Sequence, residues 1–365
     1  MKKLNFTKED YIRYSLIVFV CVVYLLIQIF NNQISMLLFK SSRIENEITQ
    51  SDFEIDFIDV GQGDSILIRL PDDKLILVDT GPEKSSKKLI SYLKKRMNKF
   101  DINKISYLIL THPDSDHVGG SLGVLKNIKV DKILRPKILI NSETSKYGNL
   151  GYGYTSSENY VETIKYASKK FDMEFFDTNT LIKSKEYKID FLTPNKDVYF
   201  SNNNNDLNDI NTNEYSPIIM IEYGGRKILL TGDATDKTEK ELLSLYEKEM
   251  LDVDILKVSH HGSKSSTSEE FLKVVKPEYA IISVGKNSYG HPAYELLKRL
   301  DESNVKDTLS TKKYKTIKIG IDDNLEILIS LESEIERIDL PLVFTICLIS
   351  IAILCKKQIN SKKNI

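Results

Sequence analysis

The chain has 365 residues, 41% hydrophobic and 28% charged, a composition that excludes disorder and leaves ample core-forming side chains for a large globular body. Formal net charge is −1, and because each end carries about +2, residues 51–332 hold about −5, which excludes a broad basic groove for duplex nucleic acid. All three cysteines (Cys21, Cys347, Cys355) sit in terminal apolar segments, so a metal in the middle of the chain must be held by imidazole and carboxylate.

Residues 1–13 form a basic tail, and residues 14–39 carry no charge over a length sufficient to cross a bilayer. Residues 338–355 form a second, shorter apolar segment, followed by the basic tail 356–365. Lys2, Lys3, Lys8 and Arg13 before the first segment, and Lys356, Lys357, Lys362 and Lys363 after the second, place both termini on the cytoplasmic side. Two membrane helices are therefore expected, with the body (53–332) outside the cell membrane and 40–52 as a polar linker.

The body opens with Phe53, Ile55 and Phe57 alternating with Glu54 and Asp56, the pattern of a half-buried strand. The strand ends in the glycine-punctuated turn Asp59-Val-Gly-Gln-Gly-Asp64. Strands over Ile66–Leu70 and Leu75–Val78 follow, the second closing on Asp79-Thr-Gly81. Leu89, Ile90, Leu93 and Met97 at helical spacing make Lys84–Asn98 an amphipathic helix. Ile105–Leu110 is a buried strand that stops at Thr111, and the next six residues bring His112, Asp114, Asp116 and His117. Four potential ligands on a loop at a rigid strand end are what a catalytic metal needs.

Further along, a helix is expected over Glu158–Lys170, a strand over Tyr187–Leu192 and a solvated Asn/Asp run over Ser201–Asn213. A hairpin through Gly224-Gly225 joins Pro217–Tyr223 to Lys227–Leu230 and ends in Thr231-Gly-Asp233. The strand Asp254–Val258 leads into Ser259-His260-His261-Gly-Ser263, and Tyr279–Val284 into Gly285–His291. A helix from Pro292 and strands near Thr316–Ile321 and Leu325–Ser330 finish the body. Asp59, Asp79, His112, Asp233 and His260 each fall at a strand end, where sites gather. Lys257 and Lys264 read as ordinary surface lysines.

Thr-His112-Pro-Asp114-Ser-Asp116-His117-Val-Gly-Gly, Thr-Gly-Asp233-Ala and Ser-His260-His261-Gly-Ser resemble the metal motifs of the metallo-β-lactamase fold superfamily. Asp59-Val-Gly-Gln-Gly-Asp64, Asp79-Thr-Gly, Glu222-Tyr-Gly-Gly and Tyr289-Gly-His291-Pro narrow the likeness to the hydrolase domain of ComEC-type DNA-uptake proteins. The resemblance implies an α+β, αββα four-layer sandwich and two divalent ions, Mn or Zn, about 3.5–4 Å apart and sharing a water. It also implies that His112 and Asp114 hold one ion, Asp116 and His117 the other, with Asp233 bridging. His260 or His261 completes the second ion; adjacent residues cannot both point inward from a strand end, and His260 is slightly favoured. Asp64 and His291 are expected to line the site beside the catalytic Asp116, with Asp59 and Asp79 in support. Asp114 stands where the superfamily commonly has histidine, and such hard donors favour Mn²⁺. The reading that follows is a membrane-anchored metal-dependent phosphodiesterase or nuclease, DNA being one candidate substrate. Its rivals are a hydrolase of teichoic-acid or other wall esters and a binding module with a degenerate metal site.

Overall fold

The computed structural model describes residues 51–147, 153–155, 157–194 and 211–332, together with Phe19 and Ile48. The chain divides into two compact units, Met1–Glu332 and Ser333–Ile365, the second lying outside the described residues. Apart from Phe19, so do the two expected spans, 14–39 and 338–355, as does most of the Asn/Asp run. Among the described residues no helix is long and apolar enough to cross a membrane.

Strands β1 (Phe53–Phe57), β2 (Ile66–Arg69), β3 (Leu75–Val78), β4 (Lys104–Ile109) and β5 (Lys129–Arg135) begin the first sheet. The short β6 (Ile138–Leu139) and β7 (Gly153–Tyr154) pair only with each other, and β8 (Asp172–Phe175) returns to the first sheet. The second sheet is built from β9 (Leu181–Lys183), β10 (Tyr187–Phe191), β11 (Ile219–Tyr223), β12 (Arg226–Leu230), β13 (Ile255–Lys257), β14 (Tyr279–Ile282) and β15 (Asp307–Ser310). β16 (Ile317–Ile321) and β17 (Ile327–Leu331) close the first, giving the orders β17-β16-β1-β2-β3-β4-β5-β8 and β15-β14-β13-β12-β11-β10-β9. Each sheet is antiparallel on one side and parallel on the other, the parallel parts being β3-β4-β5-β8 and β12-β13-β14-β15.

The period-2 alternation of the strands sorts the core into three layers. Phe53, Ile55, Phe57, Ile66 and Ile68 of the first sheet meet Ile189, Phe191, Ile219, Ile221 and Ile228 of the second. Leu75, Leu77, Ile105 and Ile133 face outward onto Leu89 and Leu93 of the helix Ser86–Lys99 and Ile164 of the helix Glu158–Ala167. Met220, Leu229 and Leu256 face the helices Asp236–Leu245, Glu269–Val275 and Tyr294–Glu302 through Leu242, Phe271 and Leu296. Helices thus cover both outer faces of the paired sheets, the expected αββα order. Ile48, in the stretch read as a linker, is fully buried.

One strand departs from the sequence reading. β1 is buried on both faces, because Glu54 and Asp56 lie beneath the helix Ser86–Lys99 instead of facing water. Arg69 bonds Glu54 at 3.0 Å, Arg96 bonds both Glu54 and Asp56, and the Tyr92 hydroxyl donates to Asp56 at 2.8 Å. Burial, reinforced by Asp56, holds the Glu54 carboxyl above its ordinary range despite the two arginines. Removing one partner of a buried ion pair strands the other charge, so Arg96→Ala should cost about 3–5 kcal/mol in chemical denaturation of the purified protein. A loss under about 1 kcal/mol, the worth of an exposed pair, would show that this network carries little.

Candidate metal centre

The parallel strands of both sheets run their carboxyl ends to the same edge, where α/β sheets commonly bind ligands. Within four residues past those ends come Asp79 after β3, His112 after β4, Asp233 after β12, His260 and His261 after β13, and Ser283 after β14. Ring contacts connect all five histidines of the chain: His112–His117 at 4.1 Å, His117–His261 at 5.1 Å, His261–His260 at 6.2 Å and His260–His291 at 5.6 Å between centroids.

Ligand atoms of Asp64, His117, Asp233 and His261 all lie within 4.8 Å of one another, and all four residues are buried. His117 Nε2 is 3.2 Å from both Asp233 Oδ1 and His261 Nε2, and His261 Nε2 is 3.2 Å from Asp116 Oδ2. The other oxygen of Asp233, Oδ2, is 3.5 Å from His261 Nε2 and 4.0 Å from His112 Nε2, which is itself 3.8 Å from Asp114 Oδ2. The Asp233 carboxylate therefore lies among the imidazoles of His112, His117 and His261.

Hydrogen bonds fix which nitrogen each imidazole offers. Asp79 accepts from Thr111 N at 2.9 Å and Thr111 Oγ1 at 2.6 Å, which aligns the loop, and its Oδ2 lies 2.7 Å from His117 Nδ1. His117 Nδ1 therefore carries the proton. His261 Nδ1 donates to the Ser283 carbonyl at 2.8 Å. His112 Nδ1 lies 3.0 Å from Thr111 Oγ1 and 3.1 Å from Ser216 Oγ, and its buried Nε2 has no hydrogen-bond partner. Three Nε2 lone pairs thus converge on Asp233. Two of them, 3.2 Å apart, repel unless a cation or a proton sits between them.

The electrostatics point the same way. Burial alone would hold His117 and His261 neutral; the Asp233 carboxylate, backed by Asp79 and by Asp116 respectively, lifts both far above the ordinary imidazole range. Burial alone would raise Asp116 and Asp233, yet the imidazoles hold both carboxyls well down. Asp64 is held at about 2: its burial is outweighed by the Lys257 ammonium and then by His261 and His117. The pocket thus demands positive charge. Buried imidazole and carboxylate donors with fixed tautomers and unpartnered lone pairs fit divalent ions.

Several placements differ from the sequence reading. His260 and His261 both turn toward Asp233 Oδ2, at 3.7 and 3.5 Å, although they are adjacent. Both occupy the left-handed region, at φ 49° and 52°, so strand alternation does not apply to them. Of the two, His261 lies in the buried cluster and His260 on its open side. Asp59 stands outside that cluster, with Oδ1 accepting from Gly61 N at 3.1 Å and Oδ2 bonded to Lys88 at 2.9 Å. Lys257 is no surface lysine: it is fully buried, paired with Asp64 and donating to the Gly232 carbonyl at 3.0 Å. It lies two residues past Ile255 on an apolar strand, which is the signal that could have found it. Thr111, Ser216 and Thr212, whose hydroxyl donates to Asp114 Oδ1 at 2.8 Å, are the other polar residues not anticipated. Gly63 explains the glycine turn, since a Cβ there would strike the Asp116 carbonyl.

A layered pair of sheets with such a carboxylate–imidazole centre at the parallel strand ends defines a metal-dependent hydrolase type of fold. The chain belongs to the metallo-beta-lactamase superfamily, whose family model matches residues 58–179 and 211–286. Within it, the chain is similar to ComE operon protein 3 of Bacillus subtilis, 30% identical over 286 residues, 73% of this chain and 33% of that protein. Recombination protein 2 of Haemophilus influenzae is 29% identical over 272 residues, 73% of this chain and 28% of its own length. The chain thus spans about a third of the length of these curated relatives. Among solved structures, the metallo-beta-lactamase fold protein YhfI of Bacillus subtilis is 12% identical, with TM-score 0.42, over 73% of this chain and 99% of its own.

Asp79→Asn tests the orientation of His117. The amide would offer an N–H to Nδ1, moving the imidazole proton to Nε2, where it blocks a metal. Metal affinity by calorimetry should fall about 10–100-fold. Unchanged affinity would mean that His117 is no ligand.

Proposed function

We propose that this domain is a metal-dependent phosphodiesterase of nuclease type, held outside the cell membrane by spans at 14–39 and 338–355. The observation that carries the reading is the convergence of buried imidazole and carboxylate donors on Asp233. His112 and Asp114 would hold one ion and Asp116, His117 and His261 the other, with Asp233 available to both. His260 stands on the open side of these donors, 3.7 Å from Asp233 Oδ2. Bound divalent ions at such a site supply an activated water and the charge that polarises a phosphoryl oxygen.

The chain's own residues do the rest. Asp79 and Thr111 orient the His112–His117 loop, and Lys257 keeps Asp64 charged and fixed beside the donors. The side chains of Asp114 and Asp116 are 44% and 30% exposed, against 0–4% for His112, His117, His261 and Asp233, so the substrate enters on their side. His291 is half-buried beside His260, and burial, then the charges of His260 and His261, holds it below the ordinary imidazole range. Placed at the open side and held neutral, it is suited to contact a phosphoryl oxygen of the substrate through a ring N–H. Oxygen donors in both sets favour Mn²⁺ over Zn²⁺. Relatives named for the competence operon and for recombination support a DNA-related substrate.

Asp233→Ala and Asp116→Ala should each lower hydrolysis of bis-p-nitrophenyl phosphate at least about 1,000-fold, as expected for a group acting in the transition state, with far-UV circular dichroism unchanged. Either variant cleaving like the wild type would remove it from the mechanism. Chelator should inactivate the protein, and Mn²⁺ should restore it at least as well as Zn²⁺; rescue by Zn²⁺ alone would refute the hard-metal argument.

A further inference from the structure

The rings that leave the metal centre do not stop at His291. Tyr289 packs at 5.9 Å from His291, His291 at 5.6 Å from His260, and His260 Nε2 is 3.7 Å from Asp233 Oδ2. An aromatic series therefore runs from the central carboxylate to the surface, where Tyr289 is 74% exposed. Single exposed aromatics are common, so exposure alone carries nothing. What distinguishes Tyr289 is that its backbone is held in place. Asn287 Oδ1 accepts from Tyr289 N and His291 N, both at 3.1 Å, and Asn287 Nδ2 donates to the carbonyls of Gly285 at 3.0 Å and His291 at 2.9 Å. Gly285 in turn abuts Gly61 so closely that a Cβ would collide with it, and its N–H donates to Gln62 Oε1 at 3.3 Å. The loop that presents Tyr289 is thus fastened to the turn that carries Asp64.

We propose that Tyr289 is a stacking platform for an unpaired nucleobase next to the phosphodiester at the metal centre, making the site selective for strands with accessible bases. The inference rests on the phosphodiesterase reading and adds the recognition element. The physical case is that a body of net charge about −5 cannot rely on the phosphate attraction that drives most nucleic-acid binding. Stacking on a fixed aromatic ring supplies affinity without positive charge and tolerates any base. Bases within a duplex are hidden in their own stack, and reaching the ring costs their unstacking. A glycerol- or ribitol-phosphate polymer has no planar face to offer.

The chain contains no tryptophan, so Tyr289→Trp installs a single fluorescent reporter at this position. The full chain in detergent, in chelator so that no turnover occurs, is titrated with oligothymidylate, an abasic strand of equal length, a duplex and poly(glycerol phosphate). Quenching by oligothymidylate, little by the duplex and none by the abasic strand or the polymer is the expected result. In parallel, Tyr289→Ala should weaken binding of labelled oligothymidylate about 5- to 150-fold, the worth of one stacked base, while Tyr289→Phe stays near wild type. Equal quenching by the abasic strand, no quenching by any strand, or wild-type binding by Tyr289→Ala would overturn the platform. Tighter binding of poly(glycerol phosphate) than of oligothymidylate would do the same in favour of a wall polymer. The two readings fail separately: strand binding lost in Tyr289→Ala, with no diester hydrolysis by the Mn²⁺-loaded wild type, would sink the catalytic reading alone.

Discussion

Buried negative charge at the meeting of two sheets is the constraint on which this structure turns. Asp64, Asp79 and Asp233 are almost wholly removed from water, and each carboxylate so placed needs a compensating charge or hydrogen bonds to stay ionised. The fold answers differently for each. Asp64 receives an internal ammonium from Lys257, and Asp79 receives a backbone amide, a hydroxyl and an imidazole N–H. Asp233 receives the Nε2 atoms of His117 and His261, whose positive charge, unlike that of an ammonium, can be exchanged for a bound cation.

That outcome depends on backbone geometry as much as on side chains. The donors come from both sheets, and they meet because the parallel strands of each deliver their carboxyl ends to one edge. Close approach of the connecting turns requires residues without side chains at Gly63 and Gly285. Asp79, His260 and His261 all hold positive φ, which non-glycine residues adopt at some cost. Three strained residues at one edge, each directed at the same small volume, mark where stability has been given up to hold a geometry.

The architecture and the donor loop are legible in the sequence because two strong periodic signals frame them. Apolar strands end abruptly in clusters of His, Asp and Gly, and amphipathic helices follow, so strand ends and ligands coincide. The less legible parts have identifiable causes. β8, β9 and β15 are sheet edges of three or four residues, half in water, and such segments show neither alternation nor an apolar run. Glu54 and Asp56 look solvent-facing because alternation marks a second face without saying whether a helix covers it. Lys257 looks like any lysine unless its register with Ile255 is weighed above its charge. Asp59 and Asp64 flank the same glycine turn, and nothing local separates the one that caps the turn from the one that enters the site. The choice between His260 and His261 is lost because strand logic does not extend into consecutive left-handed residues.

Comparison of the two buried acidic clusters shows why one of them is fit for chemistry. Glu54 and Asp56 are neutralised by Arg69 and Arg96, guanidinium groups that never lose their charge, and an aromatic ring, Phe100, packs against both. That cluster is closed and can only hold the helix to the sheet. Around Asp233 the positive partners are imidazoles, which can give up their charge, and on one side the wall is the half-exposed Asp114, Asp116 and His260 instead of another helix. With the same burial and the same kind of acid, the difference lies in whether the compensating charge can be exchanged. A fixed guanidinium makes a joint, whereas imidazoles at an open edge make a site that can take up a cation and present it to a substrate.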